Sequence, residues 1–238
     1  VIRISLELSR INFPEYNSKS PNFDVLIDSK LLKITPTSSG IADKMPICLN
    51  SLCILDNIVL SKTKCMLSER LKNSIKDYPD FPKKDIIFKD IMPILANPEL
   101  FSDLIDALTK YLFFKNTDAI VAIDSRGFLL GSAIANKAKI PLILIRKTGK
   151  LPPPTKKESY SLEYGEDFLE ISSELKICDK KVAIVDDVLA TGGTVSAAIK
   201  LIESLDGEVA SLNFLVSLTN ILKPATISTY PVNFLVNY

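Results

Sequence analysis

Three short apolar runs, "AIVAI" (119–123), "PLILI" (141–145) and "KVAIV" (181–185), constrain this chain more than any other feature of its sequence. A continuous apolar run of about five residues is what a parallel strand needs when both of its faces are covered. The first run is followed by "GFLLGSAIANKAK" and the third by "TVSAAIKLIESL", both with helical character. "EVASLNFLVSL" reads as a fourth strand and "PVNFLVNY" as a fifth. Upstream, "ANPELFSDLIDALTKYLFF" has Asn97 as a cap, Pro98 in the first helical position, and Leu100, Leu104, Leu108 and Tyr111 on one face. Strands alternating with helices predict an α/β fold, a parallel sheet flanked by helices and joined by right-handed crossovers. Ligands in such sheets belong at the carboxyl ends of the strands.

The chain has 238 residues, 47% hydrophobic and 24% charged, and a formal net charge of +1. That balance gives no global field for nucleic acid or a membrane surface, so any preference for anions is local. There is no histidine, which excludes histidine bases, histidine triads and most catalytic zinc sites. Cys48, Cys53, Cys65 and Cys178 lack the spacing of a zinc site and fit a reducing environment. No apolar run reaches the ~20 residues that span a bilayer, and a cytoplasmic protein is expected. Residues 1–65 lack a sustained period and are expected to be disordered or a gene-model artefact; residues 66–238 read as one domain. Within it, 147–170 is a polar insert with three consecutive prolines, in which "SYSLEY" and "DFLEI" alternate around Gly165. Long inserts of this kind inside compact domains are commonly functional, and a hairpin lid is predicted here.

The chemistry concentrates in "IVDDVLATGGT" (184–194), where a strand expected to end at Asp186 runs into a turn rich in threonine and glycine. Ala190, Thr191, Gly192, Gly193 and Thr194 can turn their amides into one concavity at a helix start, a cradle for phosphate. This is not a Walker loop, since the Gly-Lys-Ser/Thr ending is absent. Asp186 and Asp187 would repel the same phosphate unless they contact another part of the ligand. The paired hydroxyls of a ribose carrying that phosphate meet the requirement. Asp124, Ser125, Arg126 and Gly127 stand at a second strand end, and Arg146, Lys147 and Lys150 at a third. Together they would supply positive charge opposite the cradle, suited to a pyrophosphate at the far end of the ligand.

These stretches, with "DSRGF", "RKTGKLP", "YSLEYG" and "DYPDFPKKDIIFKDIMPIL", resemble type I phosphoribosyltransferases and, among them, the adenine phosphoribosyltransferases. The resemblance covers about residues 67–238. It implies a type I phosphoribosyltransferase-like sheet and a mobile lid. It also implies transfer of the phosphoribosyl group of 5-phosphoribosyl-1-pyrophosphate to adenine, giving AMP and pyrophosphate, with Mg²⁺ reached through the substrate and water near Asp186 rather than by direct ligands. By the same resemblance Asp186 and Asp187 bind the ribose, and Ala190 to Thr194 the 5′-phosphate. The "DSRG" loop with Arg146, Lys147 and Lys150 receives pyrophosphate. Phe88 stacks on adenine between backbone groups of Ile87 and Lys89, with Val188 on the other face. Glu163, with Tyr164 and Arg126, completes the catalytic set. A homodimer and an often cis Asp–Ser peptide are further family expectations.

Departures from the family pattern are Lys84-Asp85 in place of Pro-Gly, Met92 in place of a small hydroxyl residue, Pro153 in place of a hinge glycine, and Lys89 in place of arginine. Two other readings are compatible with the same residues. One is transfer to a different base, which "SYSLEYG" disfavours. The other is a non-catalytic regulator that binds phosphoribosyl pyrophosphate, which the lack of a nucleic-acid-reading module disfavours.

Overall fold

The structure is a computed structural model that describes residues 2–6, 23–28, 31–36, 66–113, 116–162, 165–219, 221 and 223–238, with side chains for 66–110, 116–160, 167–219, 221 and 223–238. The chain divides into two compact units, Val1–Val59 and Leu60–Tyr238. In the first, strands β1 (Ile2–Leu6), β2 (Phe23–Asp28) and β3 (Leu31–Pro36) form an antiparallel sheet in that order.

The second unit opens with helix α1 (66–74) and a two-stranded antiparallel sheet, β4 (Lys76–Pro79) with β5 (Ile87–Asp90). Two helices follow, α2 (Met92–Leu95) and α3 (Pro98–Phe113). The predicted start of α3 is found. Asn97 Oδ1 accepts a hydrogen bond from the Leu100 amide at 3.1 Å, which satisfies a donor the helix leaves open. Leu100, Leu104 and Leu108 are buried on its inner face; the Tyr111 side chain lies outside the described residues.

The main sheet has seven strands. β6 (Ala119–Ile123), β7 (Leu142–Lys147), β10 (Lys181–Leu189), β11 (Glu208–Ser217) and β12 (Val232–Asn237) run parallel. The hairpin β8 (Thr155–Leu162) and β9 (Gly165–Ser172) adds antiparallel strands at one edge. The spatial order is β12-β11-β10-β6-β7-β9-β8. Helix α4 (Gly127–Ala138) follows β6, and helix α5 (Gly193–Glu203) follows β10. From β6 the chain crosses to β7 on one side; from β10 it crosses to β11 on the other. The strand order therefore reverses between β6 and β10, and a crevice opens there beyond their carboxyl ends.

Two apolar layers sandwich the sheet. Val121, Ile123, Ile184 and Phe214 pack with Val195, Ile199 and Ile202 of α5 and with Leu169 and Ile171 of β9. Ile120, Ala183 and Val185 pack with Leu130 and Ile134 of α4 and with the leucines of α3. All five residues of β6 are buried, as their unbroken apolar run predicts. β7 departs from that expectation: Ile143 and Ile145 are buried while Leu142 and Leu144 are each 36% exposed. α4 lies mainly over β6 and β10, so one face of β7 is only partly covered.

Other expectations were displaced by a few residues. β10 continues through both aspartates to Leu189 rather than ending at Asp186, because β11 pairs with it as far as Ser217. The Lys84-Asp85 turn forms without glycine. Asp85 takes the left-handed conformation at φ 68°, and its amide donates to Asp80 Oδ1 at 2.8 Å. Aspartate tolerates that region better than most residues because its short side chain bonds locally.

Phe214 is a large side chain with no exposed surface, at the centre of the α5 layer. Phe214→Ala is expected to destabilise the domain by about 3–5 kcal/mol in urea unfolding.

Candidate active site

The site forms where β6 and β10 end side by side. Their pairing stops at Val185 opposite Ala122, while β10 runs four residues further along β11 alone. The β6–α4 loop fills the vacated edge. Its Asp124–Ser125 peptide is cis, and Arg126 then reaches across to β10, where its Nε lies 2.9 Å from Asp187 Oδ2. Gly127 explains why the loop can come so close. A Cβ there would lie 2.9 Å from Asp186 Oδ1 and 2.9 Å from the Val185 carbonyl oxygen. Any larger residue would push α4 away from β10.

The two carboxylates are held differently. Asp187 is buried, and its neighbour in space is the Arg126 guanidinium. The pair is close without being aligned as a hydrogen bond, for Asp187 Oδ2 and Arg126 Nη1 are buried polar atoms with no hydrogen-bond partner. Such atoms mark a site arranged for something other than itself. Burial pushes the Asp186 carboxyl well above its usual range, the adjacent Asp187 charge adds to this, and the Asp187 amide, donating to Asp186 Oδ1 at 2.9 Å, opposes it.

The turn after β10 has the geometry of a phosphate cradle. Ala190, Thr191 and Gly192 bend away from the strand, and Gly193 and Thr194 open α5. Gly192 sits at φ 83°, and a Cβ on it would come within 2.2 Å of Ile227 Cδ1. Backbone conformation and space both demand glycine here. The first amides of α5 remain unbonded within the helix and carry its partial positive charge.

The third cluster forms as a group, but its charges turn inward. The buried Asp124 carboxylate lies 3.3 Å from Arg146 Nε and 3.3 Å from Lys150 Nζ. Burial pushes this carboxyl up; Lys150, the Lys147 amide and Arg146 together outweigh burial and hold it below its usual value. Lys147 Nζ lies 3.7 Å from Asp167 on β9. These cations are paired with one another's neighbours rather than lining a bare positive surface.

Phe88 projects from β5 toward the same crevice. The Arg126 guanidinium carbon stands 4.9 Å from its ring centroid, so one arginine touches both the β10 carboxylate and this ring. Phe81 packs edge-on against Phe88, with centroids 5.3 Å apart. Ile87 is largely exposed, and among the described residues β5 pairs only with β4. Val188 is half-buried beyond the aspartates. Glu163 and Tyr164 lie outside the described residues.

Sequence reasoning missed Phe81, which orients the Phe88 ring, and Glu170, a buried carboxylate on β9. Glu170 accepts from the Gly149 amide at 3.2 Å and pairs with Lys157 at 2.7 Å, tying the 147–150 turn to the hairpin. A charged residue inside the alternating "DFLEI" segment was the available signal for it. Among the described residues no group of three or more potential metal ligands occurs, and no helix is long and apolar enough to cross a membrane.

A reversing parallel sheet with paired carboxylates and a glycine turn at its switch point defines a phosphoribosyltransferase. The chain's residues 92–234 match the phosphoribosyl transferase domain family. Within that class it belongs to the adenine phosphoribosyltransferases. It is 46% identical to the adenine phosphoribosyltransferase of Thermotoga sp. over 168 residues, which are 71% of this chain and 99% of that protein. The crystal structure of the enzyme from Thermoanaerobacter pseudethanolicus matches with a TM-score of 0.70 and 42% identity, over 72% of this chain and 99% of that one. The enzyme from Saccharomyces cerevisiae, solved with adenine and an imino-altritol bisphosphate, matches with a TM-score of 0.63 and 35% identity, over 72% of this chain and 99% of that one.

The raised Asp186 carboxyl makes a stability prediction. Its folded pKa lies above the unfolded value, so its contribution is fully present at low pH and is lost as pH rises through the folded value. Asp186→Asn cannot ionise. Relative to the parent, its melting temperature is expected to gain as pH rises above about 4, where the aspartate of the unfolded chain ionises. A difference that does not vary with pH would mean that ionised Asp186 carries no folding penalty.

Proposed function

We propose that this chain transfers the phosphoribosyl group of 5-phosphoribosyl-1-pyrophosphate to adenine, forming AMP and releasing pyrophosphate, and so serves purine salvage in the cytoplasm. The observation that carries this reading is that Arg126 joins Asp187 at the end of β10 to Phe88 on β5, within one crevice that the Gly192 turn also faces. Ribose, phosphate and base sites thus lie within the reach of one nucleotide. The relatives described above are adenine enzymes.

The chain's own residues divide the work. Asp186 and Asp187 take the 2′- and 3′-hydroxyls of the ribose, and the hydroxyl protons give the Asp187 oxygen, now ion-paired with Arg126 alone, the hydrogen bond it does not have. Residues 190–194 hold the 5′-phosphate with backbone amides and threonine hydroxyls. Ser125, Arg126 and Gly127 receive the pyrophosphate, and so do Arg146, Lys147 and Lys150, which exchange carboxylate partners for phosphate oxygens. As the bond between C1 and the pyrophosphate oxygen breaks, positive charge grows on the sugar and negative charge on the leaving group. Fixed donors that meet this growing charge are the largest catalytic contribution. Phe88 stacks on the purine, Ile87 and Lys89 read its edge through the backbone, and Val188 closes the other face. Glu163 exchanges the proton that the purine gives up when its nitrogen bonds to C1, and Tyr164 helps the hairpin exclude water from the cationic sugar.

The residues suit a hard divalent ion. Two carboxylates with one unsatisfied oxygen at a diphosphate site are the oxygen donors that Mg²⁺ prefers, with most ligands left to substrate and water. Mg²⁺ there would neutralise charge on the pyrophosphate as it departs. In the homodimer expected for the family, a second copy covers Leu142 and Leu144 on β7, Leu129 on α4 and Phe168 on β9, which are otherwise large exposed apolar side chains.

AMP formation from phosphoribosyl pyrophosphate, Mg²⁺ and adenine tests the proposal, with hypoxanthine, guanine and orotate in parallel. Turnover is expected with adenine alone. Glu163→Gln is expected to lower kcat about 10²–10⁴-fold with little change in either KM. Binding of phosphoribosyl pyrophosphate without turnover of any base would overturn the enzymatic reading in favour of a regulator.

A further inference from the structure

β5 meets the proposed base site with one side chain and the body of the domain with the next. Successive side chains on a strand point to opposite sides. Phe88 therefore faces Phe81 and Arg126, while Lys89 turns away from the crevice. The Lys89 side chain is only 10% exposed, unusual for a lysine on a two-stranded sheet. Its Nζ lies 2.7 Å from Asp77 Oδ2 on β4 and 3.6 Å from the centroid of the Tyr238 ring. An ammonium this close to the face of a half-buried ring, with a carboxylate on its other side, has few other places to go.

Tyr238 is itself held firmly. Its carbonyl oxygen accepts from both the amide and the hydroxyl of Thr219, each at 2.9 Å, and its amide donates to the Ser217 carbonyl at 3.0 Å. It thus continues the β11–β12 pairing of the main sheet. Lys72 of α1 approaches the same ring, with Nζ 4.8 Å from the centroid, and donates to the Asn237 carbonyl at 3.4 Å. Tyr238 is a fixed platform with a cation from α1 and a cation from β5 gathered on it. Among the described residues, these side-chain contacts join the β4–β5 hairpin to the strand layer that carries Asp186 and Asp187. The ends of the hairpin are anchored by Ile75 and Ile91, buried in the apolar layer that includes Val185 of β10, and the Lys89–Tyr238 contact acts on the stretch of β5 between them.

We propose that Lys89 and Tyr238 are positioning residues for base recognition. The Lys89–Tyr238 contact, braced by Asp77, sets where β5 lies relative to β10, and so sets the height of the Phe88 ring and of the β5 backbone above the ribose site. Neither side chain touches substrate. The proposal rests on the reading of β5 as the strand that meets adenine, and the experiment separates the two.

Steady-state kinetics on the full chain would compare Lys89→Met, Tyr238→Leu, Asp77→Asn, Lys89→Arg and Phe88→Ala, with adenine and phosphoribosyl pyrophosphate varied separately. Lys89→Met and Tyr238→Leu are each expected to raise the adenine KM about five- to tenfold while moving the phosphoribosyl pyrophosphate KM less than about twofold. Asp77→Asn, at a half-exposed position that no core packing depends on, is expected to give a smaller rise in the same parameter. Lys89→Arg restores a cation to the ring and is expected to return the adenine KM close to the parent value. An unchanged adenine KM in Lys89→Met, Tyr238→Leu and Asp77→Asn, with a raised one in Phe88→Ala, overturns the positioning role alone. An adenine KM indifferent to Phe88→Ala removes the base site from β5 and the proposal with it.

Discussion

Two adjacent carboxylates at the end of a buried strand are costly to keep, and most of the site follows from the way this cost is met. Asp186 and Asp187 are neighbours in the chain, and β10 holds Asp187 buried and Asp186 half-buried. Desolvation alone would favour the neutral form of Asp186. The answer in this fold is to bring a guanidinium from the neighbouring strand's loop. That requires β6 to stop short, Gly127 to let the start of α4 lie against Val185 and Asp186, and Arg126 to project at Asp187 rather than into solvent. Under the proposed function, the ribose hydroxyls would offer these carboxylates further donors. The free site is accordingly held together by contacts that substrate groups can replace.

The second acidic position works on the same principle with the opposite outcome. Asp124 is buried like Asp187, but Lys150, the Lys147 amide and Arg146 surround it, and its carboxyl falls rather than rises. The difference lies in how many donors converge. Asp124 gathers three from the end of β7, whereas the β10 pair has to share Arg126. One carboxylate is a fixed anchor for the cations of the 147–150 turn; the other two are poised for exchange. Glu170 extends the anchoring to the hairpin, since it holds the Gly149 amide on one side and Lys157 on the other. The 147–150 turn and the β8–β9 hairpin are therefore mechanically joined.

Much of this was legible from the residues themselves. Unbroken apolar runs placed the parallel strands, and Asn97-Pro98 marked the start of α3, because burial and capping are local demands that the sequence must meet locally. The glycine turn was legible for the same reason: Gly192 at φ 83° is a position that other residues rarely occupy. Boundaries were less legible. β10 ran three residues past its expected end because β11 was there to pair with it, and Leu142 and Leu144 stayed half-exposed because α4 lies toward β6 and β10.

The sequence by itself determined the class of fold, the strand ends at which chemistry would gather, and the kinds of group a phosphorylated sugar would need there. These follow from periodicity, from backbone conformations open to few residues, and from the charge each side chain must carry. Tertiary structure alone decided which of those groups face one another. Arg126 meets Asp187 across 61 positions of the chain, and Lys89 meets the Tyr238 ring across 149. Arg146 and Lys150 turn to Asp124 instead of standing open. Such pairings depend on strand order and on the distance between packed layers, and neither is written in any local stretch of residues.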